Sequence, residues 1–393
     1  MTTAPPLIAD WKEVELGDVC PPGGLVRGPF GGSLKKSDFV PTGFQVYEQR
    51  HAIWGPKTEA RYFIDARKYK EMQRFAVEAG DFIVSCSGTI GRISRIPGSA
   101  APGIINQALL KIRVDERVID PLFFLTLFGW EMFQEKILDS TQGGAMQNLV
   151  GMPVFKATKL ALPPMAEQQA IATAISSIGE LITTLEHLIA KKQAIKQGMM
   201  QQLLTGRTRL PGFEKKWQLR KLGELLGYEQ PGPYLVSSTD YSDTGVPVLT
   251  AGKTFVLGYT AEQKGIYENL PVIIFDDFTT ASKFVDFPFK AKSSAMKMLK
   301  AYPGVNLRYI FERMQLIDFN PVDHKRRWIA EFSKFEVEVP ETDEQSAIAG
   351  IIEAADAEIK ALQRRLEKVR FIKQGMMQQL LTGRTRLPVE AVS

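Results

Sequence analysis

Seventeen residues of this chain, IKQGMMQQLLTGRTRLP, occur twice without a change, at 195–211 and at 372–388. The offset is 177 residues, and carried backward it aligns 162–211 with 339–388 at 27 identities in 50 positions. The shared positions include Glu167/Glu344, Gln168/Gln345, Ile171/Ile348 and Ile175/Ile352. A second match, WKEVELGDV from Trp11 and WQLRKLGEL from Trp217, has an offset of 206. The order is therefore variable block, helical module, variable block, helical module. Periods of about 20–50 residues mark solenoids. This one is far longer and fits duplication of a whole domain-plus-helix unit, so the function needs two of something.

Each module carries an apolar seam. In the first it is Ile171, Ile175, Ile178, Ile182, Leu185 and Ile189; in the second, Ile348, Ile352, Ala355, Ile359, Leu362 and Leu366. The alternating spacing of four and three is an a/d pattern held over nearly three heptads. Pro164 and Pro340 set the starts. Gly206 and Gly383 offer a residue able to end each helix, and Pro211 and Pro388 bar continuation. A helix of about 40 residues is about 60 Å long. So long a helix with one apolar seam needs a partner, and the second copy supplies it. The spacing predicts antiparallel pairing within the chain, with the variable blocks held apart at opposite ends.

The blocks read as mixed α/β. Strand-like runs begin at Gly43, Gly80 and Ala108 in the first and at Gly245, Pro271 and Lys334 in the second. Gly/Pro clusters such as 21–24 and 231–233 punctuate them. Asp120-Pro121 reads as an N-cap and first helical residue for PLFFLTLFGW, a buried helix too short to span a bilayer. The expected architecture is α+β: domains at 1–161 and 212–338, and helical spacers at 162–211 and 339–393.

With 393 residues, 44% hydrophobic content and mean hydropathy −0.11, the chain has the composition of a soluble multidomain protein. The start shows no secretory pattern. Two cysteines, Cys20 and Cys86, make neither a disulfide framework nor a metal spacing, so a cytoplasmic setting is expected. His51, His187 and His324 are too scattered for a metal site. The net charge of +5 is spread thinly over the segments and permits a polyanion partner without demanding one.

Catalytic motifs are mostly absent. The glycine-rich run from Gly23 lacks the order of a phosphate-cradling loop. FNPVDH, at 319–324, lacks the Asn-Pro-Pro-aromatic of an adenine methyltransferase. Asp276 and Asp277 could serve a metal-dependent nuclease, but no third ligand accompanies them, and a capping or solvated role is the plainer reading. HKRR at 324–327 is either a phosphate contact or a charged helix face.

KQGMMQQLLTGRTRLPGF from Lys196, ALPPMAEQQAIATAI from Ala161 and VEVPETDEQSAIAGII from Val337 resemble the specificity subunit of type I restriction–modification enzymes. So do GPFGGSLKKSDF from Gly28, GDFIVSCSGTIG from Gly80 and the long run from Pro271. The resemblance covers nearly the whole chain. It implies two target-recognition domains, each reading half of a split, asymmetric site in double-stranded DNA. It implies that the paired helices set the gap between the halves and dock two DNA methyltransferase (modification) subunits. The chain itself would hold no cofactor and no active site. S-adenosylmethionine would belong to the modification subunits, and ATP with Mg to restriction/translocase subunits.

Phosphate and base-edge contacts are expected from polar and basic loop residues. The candidates are Lys35, Lys36, Arg92, Arg95 and Gln147 in the first block and Lys283, Lys292, Asn306, Arg308 and Arg327 in the second. Two rival readings remain: a metal-dependent endonuclease using Asp276 and Asp277, and a coiled-coil scaffold that binds proteins only.

Overall fold

The computed structural model describes residues 10–139, 148–252, 254–319 and 326–388. The chain divides into two compact units. One comprises 1–184 with 366–393, and the other 185–365. Each takes half of each long helix, Met165–Leu203 and Thr342–Leu381.

In the first unit Lys12–Glu15 pairs antiparallel with Lys159–Leu162. A four-stranded sheet runs in the order Leu25–Arg27, Leu109–Ile112, Phe82–Ser85, Ile93–Arg95. A five-stranded sheet contains a parallel pair, Phe44–Tyr47 beside Gly103–Ile105. The helix Pro121–Phe128 follows; Asp120 caps it by accepting N–H bonds from Leu122 and Phe123, both at 2.9 Å. Phe123, Phe124, Leu127 and Phe128 are buried, as the apolar run requires.

The second unit repeats this plan. Gln218–Lys221 pairs with Glu336–Val339. The four-stranded sheet runs Leu226–Glu229, Met296–Ala301, Val272–Asp276, Ser282–Val285. A smaller sheet has Val246–Leu249 parallel to Lys290–Ala291. The helix Leu307–Met314 stands where Pro121–Phe128 stands, capped by the Asn306 side chain on the Tyr309 N–H at 2.9 Å. The blocks differ in sequence, yet the four-stranded sheet and the parallel pair recur in both, while the first block adds strands and helices of its own.

The long helices end alike. Glu167, Asp343 and Glu344 sit in first turns, where carboxylates oppose the helix dipole. Gly206 and Gly383 leave the helical path at φ +69° and +68°, a left-handed conformation that glycine adopts without strain. Their N–H groups bond Leu203 and Leu380 carbonyls at 3.4 and 3.2 Å.

Within each unit the helix halves run antiparallel. In the second, Lys192 meets Glu358 at 2.7 Å and Lys196 meets Asp356 at 2.5 Å. There Leu203 and Leu204 share a core with Ile348, Ala349 and Ile352. In the first, the repeat equivalents Leu380 and Leu381 share a core with Ile171, Ala172 and Ile175. Ile171, Ile175, Leu185, Ile189, Ile348, Ile352, Ile359 and Leu366 are buried, while Ile178, Ile182, Ala355 and Leu362 are half-buried. Ile171 and Ile175, and likewise Ile348 and Ile352, at the starts of the seams, are the positions that join a globular core.

Candidate nucleic-acid interface

The same four contacts recur at the start of each long helix, and two of them tie it to its globular block. Glu167 is fully buried and receives Arg386 at 2.6 and 2.7 Å and the Trp11 indole N–H at 3.2 Å. Glu344 receives Arg209 at 2.7 Å twice and the Trp217 indole at 3.2 Å. The next residue binds the block's helix. Gln168 Oε1 accepts the Asp120 N–H and Gln345 Oε1 accepts the Asn306 N–H, both at 2.9 Å. The Nε2 of each glutamine donates to a proline carbonyl, Pro163 at 3.0 Å and Pro340 at 2.8 Å. A buried carboxylate is costly unless its oxygens are satisfied; here a two-pronged guanidinium and an indole do so. The Glu-Gln pairs and paired tryptophans stood out in the sequence as repeat identities, but their partners were not visible there.

The sequence-selected DNA contacts divide in two. Lys35 and Lys36 are exposed at the short 3₁₀ turn Lys36–Asp38, and Arg92 is exposed beside the strand Ile93–Arg95. Lys283 is half-buried on Ser282–Val285. None of these four forms an ion pair among the described residues. Lys292 is half-buried, with its ammonium 5.7 Å from the Tyr241 ring centre. Gln147 lies outside the described residues.

The others serve the protein itself. Arg95 pairs with Glu116 at 2.7 Å and covers Phe82. Asn306 is the helix cap just described, and its Nδ2 also donates to Ser346 at 3.2 Å. Arg308 pairs with Glu312 and Asp356. Arg327 is only 4% exposed and bonds Glu331 at 3.0 Å. Arg95 stays exposed while paired, and Asn306, Arg308 and Arg327 already spend their polar groups on partners within the protein. For HKRR, residues 324–325 lie outside the described residues, and Arg327 is buried.

The paired acids are likewise committed. Asp276 accepts the Phe278 and Thr279 N–H groups at 3.0 and 2.8 Å, closing a turn. Asp277 is buried, pairs with Lys297 at 3.2 Å and accepts the Arg327 and Trp328 N–H groups at 3.1 and 2.8 Å. Asp276 thus has the capping role that the sequence reading preferred, while Asp277 is buried as a counter-ion and cap rather than solvated.

The first unit also gathers residues that sequence reasoning passed over. The helix Gln49–Trp54 lines a cleft of about 480 Å³ with Arg61, Thr89 and Asn106. Trp54 is 70% exposed, and the Arg50 guanidinium carbon lies 6.0 Å from its ring centre. Burial raises the Glu48 carboxyl pKa in this cleft, while Arg61 and Arg50 pull it down. Behind it His51 is fully buried and held neutral, mainly by burial. Its Nδ1 lies 2.8 Å from the Glu48 backbone nitrogen and its Nε2 3.1 Å from the Gln45 side-chain amide nitrogen. A second cleft, of about 270 Å³, brings together Arg27, Arg74 and Lys156 with no acid in its lining. Phe30, 70% exposed, stands at its edge. Cations beside exposed aromatic rings suit phosphates and base faces. The i, i+4 spacing of Arg50 and Trp54 was available in the sequence, but their exposure was not.

Comparison with known proteins places this architecture. The profile of the type I restriction modification DNA specificity domain matches residues 8–197 and again 214–370. The chain belongs to that family. It is 51% identical over 138 residues to the Escherichia coli type I restriction enzyme EcoR124I/EcoR124II specificity subunit. That match covers 33% of this chain and 34% of the relative. It is 24% identical over 361 residues to the putative type I restriction enzyme MjaX specificity subunit of Methanocaldococcus jannaschii, covering 83% of each. The fold is similar to the crystal structure of the S subunit of the M. genitalium type I restriction–modification system, with TM-score 0.61 and 14% identity over 97% of this chain and 98% of that one.

Proposed function

We propose that this chain is the non-catalytic, DNA-reading specificity subunit of a type I restriction–modification complex. Residues 1–161 and 212–338 act as the two recognition domains, and 162–211 and 339–393 as spacers. Each domain reads one half of a split site in double-stranded DNA. Two methyltransferase subunits, which bring S-adenosylmethionine, dock on the frame, and restriction/translocase subunits add ATP and Mg. The setting is the cytoplasm. Among the described residues no helix is long and apolar enough to cross a membrane.

One observation carries this reading. The 17 identical residues include positions that face solvent: Ile195 and Ile372 are 46% and 51% exposed. Packing within the chain does not require identity there, but two copies of one partner do. The diverged blocks beside them suit two different half-sites. Binding energy comes chiefly from cations on phosphates, with a few side chains at base edges. Lys35, Lys36, Arg92, Lys283 and Lys292 remain candidates for this work, joined by Arg27, Arg50, Trp54, Arg74 and Lys156.

The test is to co-express the chain with its modification subunits and map methylated adenines. A split motif should appear. Replacing 212–338 with the corresponding block of a relative should change one half of that motif only. A change in both halves, or no methylation at all, refutes the reading.

A further inference from the structure

The two units share one plan, and one place breaks it. In the second unit the helix Leu307–Met314 meets the long helices through an ion network. Arg308 pairs with Glu312 at 2.6 Å and with Asp356 at 2.7 Å, and Asp356 also holds Lys196 at 2.5 Å. The Arg308 guanidinium covers Phe284 at 5.0 Å. The 177-residue offset puts Gly179 in the place of Asp356 and Lys373 in the place of Lys196. Counting from the helix caps Asp120 and Asn306 puts Leu122 in the place of Arg308 and Thr126 in that of Glu312. The first unit thus keeps the lysine and loses the arginine and both acids.

What remains there is an open cleft of about 770 Å³. Its lining includes Leu122, Leu125, Ile175, Gly179, Lys373 and Met377. A Cβ built on Gly179 would lie 3.5 Å from the Lys373 Nζ, so a side chain arriving at this point reaches the ammonium. Lys373 is half-buried and forms no ion pair among the described residues. Glu180, the other charged residue of the lining, is exposed and forms no ion pair with Lys373.

We propose that this cleft is a docking site for a partner protein that inserts a carboxylate side chain flanked by apolar residues. The carboxylate pairs with Lys373 as Asp356 pairs with Lys196, and the apolar neighbours cover Leu122, Leu125 and Ile175. The inference rests on the proposed assembly with modification subunits, and the occupant is a segment of one such subunit. In the second unit the chain's own side chains fill the equivalent space. Only one of the two copies can make this contact, so a frame built by duplication binds two identical partners unequally.

Titration of the full chain with modification subunit, followed by native mass spectrometry, tests this. Wild type should take up two copies in two resolved steps. Gly179→Asp supplies the missing carboxylate internally and should weaken the tighter step by about tenfold, leaving the weaker step unchanged. Lys373→Glu, a half-buried change that repels the incoming acid, should act in the same direction. Melting temperatures at or above wild type show that Gly179→Asp is folded. Two unchanged steps in both variants overturn the docking site. A wild-type chain that takes up no modification subunit overturns the assembly itself.

Discussion

Arg386 grips Glu167 with two nitrogens, at 2.6 and 2.7 Å, although 219 residues separate them. Arg209, the repeat equivalent of Arg386, does not hold Glu167 but holds Glu344. Each duplicated arginine therefore serves the other copy's glutamate. Neither module completes its anchor alone, and the chain reaches its fold by exchanging equivalent ends.

Reversing one member of this pair should therefore be rescued by reversing the other. Glu167→Arg and Arg386→Glu should each lower the urea midpoint, and the double variant should recover part of the loss. Additive losses in a double-mutant cycle would show that the contact carries no coupling.

Burial along the seam predicts unequal tolerance. Ile352 is buried and Ile182 half-buried. Ile352→Asp places an unpaired charge in a packed core and should cost about 3–5 kcal/mol. Ile182→Asp can turn its carboxylate to water and should cost clearly less. Chemical denaturation of the two variants checks the order, and equal losses contradict it.

The exposed lysines of the first block should report through salt. If Lys35 and Lys36 contact phosphates, the double alanine variant should lower the slope of log K against log salt by roughly 1.8. The sequence read should be unaffected, since phosphate contacts carry no base information. Fluorescence anisotropy of the assembled complex across a salt series measures it, and an unchanged slope removes both residues from the interface.

A half-chain of residues 1–211 keeps Trp11, Glu167 and Arg209. In a symmetric dimer each Arg209 can take the other copy's Glu167, the exchange the intact chain makes with Glu344. Such a half-chain should dimerise about a two-fold axis. With modification subunits it should methylate a palindromic motif built from the first half-site. Light scattering and methylation mapping decide the point, and a monomer or an asymmetric motif refutes it.

The frame was far more legible in the sequence than the interface. Seam spacing and terminal glycines set both long helices, and strand-like runs between Gly/Pro clusters set the strands beginning near Gly43, Gly80, Gly245 and Pro271. Charge is not local. Arg308 read as a free cation because Asp356, 48 residues away, is placed beside it only by the fold. Arg327 read as a phosphate contact because nothing in its neighbourhood announced that Trp328 would carry it inward. Trp54 and Phe30 went unnoticed for the opposite reason, since aromatic residues usually signal core.

Glu344 and Gln345 are adjacent residues on one helical turn, and they hold opposite ends of a block, Trp217 near its start and Asn306 near its close. The stretch between those two points is thus held at both ends by a socket two residues wide. Glu167 and Gln168 form a second socket of the same shape. A replacement block that supplies the indole and this backbone N–H keeps both polar contacts of the socket. The interior of a block can therefore drift, recombine or be exchanged wholesale while its mounting stays the same, which lets one scaffold acquire new addresses without learning to fold again.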